Sequence, residues 1–69
     1  MKSYSITFDN WFSGEHNMIM RNVIETLSGV VIVDATENTM VVHANNLASK
    51  TIEFFVEKDL LIADEIDNS

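Results

Sequence analysis

Residues 3–8 alternate, with Tyr4, Ile6 and Phe8 apolar and Ser3, Ser5 and Thr7 polar. A period of two puts each set on its own face, which predicts a half-buried strand. After a break at residues 9–12 the period changes. Met20, Ile24 and Leu27 follow helical spacing, and Ile19 and Val23 widen the stripe. This predicts a helix capped by Ser13 and running to Ser28, with Arg21, Asn22, Glu25 and Thr26 facing water. Glu15 falls in the first turn, where the helix dipole favours an anion. Gly29 is expected just past the helix end, where a positive φ is needed.

Residues 30–33 are an apolar β-branched run, predicted as a second strand. Residues 34–38 carry turn chemistry. From Thr39 to Ala44 the alternation returns, with Met40, Val42 and Ala44 on one face and Val41 and His43 on the other. The two strands read as a hairpin. Asn45 or Asn46 is expected to cap a second helix over residues 47–58. Its stripe is Ala48, Ile52, Phe55 and Val56, flanked by Leu47 and Thr51, with Phe54 at the edge of the arc. Lys50 and Glu53 stand i,i+3 on its wet side. Residues 60–66 form a fourth strand, and residues 67–69 are expected to fray.

The order is β-α-β-β-α-β. Right-handed crossovers fold it as an α+β, ferredoxin-like sandwich: one four-stranded antiparallel sheet with two helices on one face. The 69 residues are expected to make a single domain, 1–69. So short a chain buries only about 60% of its unfolded surface. There is no cysteine, so no disulfide or thiolate metal site supplements the core. That makes a homodimer or a protein partner a natural expectation.

Charge narrows the function. Eleven acids against four bases give a net charge of −7. Lys2, Arg21, Lys50 and Lys58 are scattered, so neither nucleic acid nor an anionic membrane is an expected partner. A basic protein or a cation suits this surface better. The start lacks the apolar region of a signal peptide, and no run is long enough to cross a membrane. The expected location is the cytoplasm.

The segment ITFDNWFSGEHNMIMRNVIETLSGV resembles the first half of the heavy-metal-associated domain, the fold of copper chaperones. That family shows a strand, a G-M-x-C-x-x-C loop, and a helix leading into a G-V pair. Ile6, Thr7 and Phe8 match the strand, Met20, Ile24 and Leu27 the inward helix positions, and Gly29 and Val30 the G-V pair. The family's two metal cysteines fall on Ser13 and His16, its glycine on Asn10 and its core methionine on Trp11. The resemblance implies the scaffold, with Trp11 filling the methionine's core pocket. Serine is a poor ligand for a soft ion, and one imidazole does not replace two thiolates.

Two site readings follow. In one, His16 with Glu15, Asp59 or Asp9 holds a divalent ion such as Zn(II), because the Glu37–Asn38 and Lys58–Asp59 turns are expected at the same end of the sheet as the first loop. In the other, Trp11, Phe12 and Ser13 form a binding surface, with one aromatic facing solvent as an anchor. Ser13 and His16 stand i,i+3, so their side chains are within reach of each other, but no third group or oxyanion site identifies an enzyme. The expected function is therefore a non-catalytic binding module for protein–protein interaction. Metal handling through His16 is one alternative. A ligand-sensing regulatory domain, or an acidic inhibitor of a basic protein, is another.

Overall fold

The computed structural model describes residues 1–66. The elements are β1 (Lys2–Thr7), α1 (Gly14–Thr26), β2 (Val30–Ala35), β3 (Thr39–Ala44), α2 (Asn46–Glu57) and β4 (Ile62–Ile66). All pairings are antiparallel, and the strand order is β2-β3-β1-β4. This is the expected ferredoxin-like α+β layout. The fraying expected at residues 67–69 lies outside the described residues.

The alternation in β1 and β3 selects the core face. Tyr4, Ile6, Phe8, Met40, Val42 and Ala44 are buried beneath the helices. Met20 and Ile24 meet them from α1, Ala48 and Ile52 from α2, and Leu61 from the entry to β4. Leu27, Phe55 and Val56 pack partly buried around this centre. The phenol of Tyr4 escapes the core at its tip, where its hydroxyl donates to Glu53 Oε1 at 3.2 Å.

Both helix starts use the caps that the sequence offers. Ser13 Oγ accepts from the His16 amide at 3.1 Å, and Asn45 Oδ1 accepts from the Ala48 amide at 2.9 Å. The end of α1 differs from expectation. The helix stops at Thr26, and Gly29 lies three residues beyond it with φ +90°. There it occupies the third position of a turn closed by the Val30 amide on the Leu27 carbonyl. A positive φ at that position is the geometry of a type II turn.

Four packing expectations are corrected. Trp11 does not fill a core pocket; it is 85% exposed. The turn closed by the Phe12 amide on the Asp9 carbonyl, with the Trp11 amide on the Asp9 carboxylate, carries it outward. Ile19 is not part of the buried stripe of α1, and Leu47 does not flank that of α2; both are exposed. The sheet covers only a narrow arc of each helix. Glu53 is held by Lys2 Nζ at 3.2 Å and by Tyr4, not by Lys50. Lys2 also approaches Glu65 at 3.7 Å, and the hydrogen bond and charge of Glu53, with Glu65 behind it, raise the Lys2 ammonium pKa above its ordinary value. Phe54 is exposed as its edge position predicts.

Candidate functional site

The residues singled out from the sequence meet at one end of the sheet. The loop after β1, the α2–β4 connection and the β2–β3 turn all lie there. Phe8 donates its amide to the Asn38 carbonyl at 2.8 Å, and Arg21 reaches from α1 to the carbonyls of Thr36 and Glu37. The Arg21 guanidinium also lies 4.5 Å from the centroid of the Phe8 ring.

The first loop is built around Asp9. Its carboxylate accepts from the Trp11 amide at 3.3 Å. Its carbonyl accepts from the Phe12 amide and from the Asn17 side chain, each at 3.1 Å. Ser13 then caps α1. These bonds hold the 9–13 backbone in one shape, so Trp11 is presented on a fixed support. Phe12 turns back and stacks on His16, with ring centroids 4.5 Å apart and planes 19° apart.

His16 joins this loop to the opposite one. Its Nε2 lies 2.8 Å from the Leu60 carbonyl. A carbonyl can only accept, so Nε2 carries the proton. The ring therefore ties the start of α1 to the α2–β4 connection. The Ser13 and His16 side chains do not meet: Ser13 Oγ bonds the backbone amide of His16, while the imidazole is turned to Leu60.

The α2–β4 connection has a feature that the sequence reading missed. Asp59 has φ 59°, in the left-handed region. Its amide donates to the Val56 carbonyl at 3.1 Å, and the Leu60 amide donates to the Phe55 carbonyl at 2.9 Å. This pair of bonds is a Schellman motif, and Asp59 stands at the position usually held by glycine. The sequence offers Asp59 as a turn residue and a candidate metal ligand; only the backbone shows that its side chain is carried on a left-handed residue.

Between the two connections lies a cleft of about 460 Å³ lined by Trp11, Phe12, Asp59, Leu61 and Ile62. Its lining combines two aromatic residues, two aliphatic ones and one acidic one.

The metal reading finds no ligand set here. Among the described residues no three His, Cys, Asp or Glu side chains gather as ligands, so His16, Glu15 and Asp59 do not form a centre. Ser13 is committed to its cap and His16 Nε2 to Leu60. The residues at the family's cysteine positions thus do not fit a soft ion. His43 sits on the uncovered face of the sheet, opposite Ser3 in the β1–β3 register. Its Nδ1 lies 2.6 Å from Ser3 Oγ. Such a contact has the form of a nucleophile and its base, but Ser3 is only 2% exposed, so its oxygen is not open to a substrate.

Fold and site together define a small α+β domain of ferredoxin-like layout with an aromatic and acidic cleft at the loop end of its sheet. No family model, no curated protein and no solved structure matches the chain.

Proposed function

We propose that this chain is a non-catalytic protein-interaction module on a scaffold similar to the heavy-metal-associated domain, and that it docks through the loop carrying Trp11. One observation carries the reading. A tryptophan that is 85% exposed stands on a loop whose backbone is fixed by Asp9, Asn17 and the Ser13 cap. Exposing an indole forfeits about 2–3 kcal/mol of burial, and tryptophan is among the side chains most enriched at the centres of interfaces. A fixed support lowers the ordering cost of binding. In the family that the chain resembles, this loop carries the metal; here polar and aromatic residues replace the thiolates.

The test places a photo-crosslinking amino acid at Asn10, which is exposed beside Trp11 and leaves the indole in place, and, separately, at Glu25, which lies exposed on α1. In extract of the cells that make the protein, position 10 is expected to give a discrete adduct and position 25 none. Equal labelling from both positions, or none from either, would sink the docking reading.

A further inference from the structure

The cleft beside Trp11 brings aromatic, aliphatic and acidic residues into one lining. Trp11 and Phe12 are the aromatic residues of its lining, Leu61 and Ile62 the aliphatic ones, and Asp59 the acidic one. An aromatic face attracts a cation through its quadrupole, and a nearby carboxylate adds direct charge attraction. The aliphatic pair suits the methylene stem of a long side chain.

Asp59 sharpens this choice. Conformation alone would favour glycine at the left-handed position of a Schellman motif, or asparagine after it. Aspartate is accepted there at a backbone cost, and what it adds over both is a negative charge. The neighbouring cation does not neutralise it: Lys58 Nζ lies 5.6 Å from the centroid of the Phe54 ring. His16 braces the two sides of the cleft by holding the Leu60 carbonyl from the α1 side. The whole chain carries −7, so a cationic partner is drawn to it and a second copy is repelled. A second copy's Arg21 is in any case engaged by Thr36 and Glu37.

We propose that this cleft seats an arginine side chain presented by a basic protein partner. The guanidinium stacks on Trp11 and pairs with the Asp59 carboxylate, and its stem lies over Leu61 and Ile62. Arginine fits better than lysine because its plane stacks on an indole and its fork matches a carboxylate. This rests on the docking reading above and adds the chemistry of the occupant.

Trp11 is the chain's one tryptophan, so its emission reports on the cleft directly. The probe is a blocked Ser-Gly-Arg-Gly-Ser peptide, titrated against the same peptide with citrulline in place of arginine. The arginine peptide is expected to shift the emission and to bind about tenfold more tightly than its neutral counterpart. Added salt is expected to weaken it. Asp59→Asn keeps a residue that tolerates the left-handed region and is expected to remove most of the preference for arginine. Asp59→Gly is expected to raise the melting temperature while weakening the arginine peptide, an opposition that a purely structural role for Asp59 would not produce. Equal affinity for the two peptides would overturn the cationic occupant and leave docking at Trp11 standing. So would an arginine preference untouched in Asp59→Asn. No response of Trp11 to millimolar arginine peptide would also overturn it, and cross-linking from position 10 decides the docking reading separately.

Discussion

Two glycines in this chain do opposite things. Gly29 holds φ +90°, and a Cβ built on it would stand 2.3–2.5 Å from the side-chain atoms of Asn45. Asn45 is the cap of α2, and its amide also donates to the Gly29 carbonyl at 2.9 Å. A side chain at residue 29 would therefore strain its own turn and push the cap off the next helix. Gly14, at the first position of α1, has no atom within 4 Å of such a Cβ. Gly29→Ala is expected to cost about 2–4 kcal/mol, the sum of the left-handed strain and a damaged cap. Gly14→Ala is expected to be neutral or to gain up to about 0.5 kcal/mol. Urea unfolding of the two variants beside the parent decides it; equal effects would show that the close approach to Asn45 is not what holds residue 29 to glycine.

At the level of elements, the two edges of the sheet are unlike. β4 carries Asp64 and Glu65 at its exposed positions. β2 carries Val31, Ile32 and Val33, all exposed, because the helices reach only the Val30 end of that strand's inner face. An edge strand offers unpaired backbone groups, and charged residues are a common guard against pairing with another chain. β2 carries a single charge, Asp34, beyond its aliphatic run, and a register shift between Ile32 and Asp34. Val33→Lys is expected to leave stability within about 0.5 kcal/mol and to reduce self-association at high concentration. Light scattering over a concentration series checks this. Identical scattering from parent and variant would clear β2 of any part in association.

For the molecule as a whole, stability rests on few residues. Ile6, Ile24, Met40, Ile52 and Val42 are the largest side chains lying fully inside. A domain of this size is stable by about 3–10 kcal/mol, while truncating a buried isoleucine costs about 2–5 kcal/mol. Ile24→Ala is therefore expected to leave a large unfolded fraction at 37 °C, seen as lost ellipticity and early melting. A native-like melting curve would mean that the core is less dependent on α1 than its burial implies. The same smallness bears on the cleft. Its two sides come from segments far apart in sequence, and the His16 contact to the Leu60 carbonyl joins them.

The sequence by itself determined the order of elements, the cap at Ser13, the Asn45-Asn46 pair from which the second cap comes, and the inward faces of β1, β3 and α2. Each is a local matter: side-chain periodicity and the bonding capacity of one residue near a helix start decide it. The layered layout followed, because few right-handed arrangements of β-α-β-β-α-β exist. Tertiary structure decided the rest. It turned Trp11 outward, left Ile19 and β2 uncovered, gave Glu53 to Lys2, and spent the His16 ring on a carbonyl 44 residues away. Exposure depends on how wide an arc the opposing layer covers, and hydrogen-bond partners distant in sequence depend on where loops meet. Neither quantity is written in the spacing of residues along the chain. The left-handed backbone at Asp59 belongs to the same class: no glycine signals it, and only the Schellman bonds closing α2 make that aspartate part of a cleft.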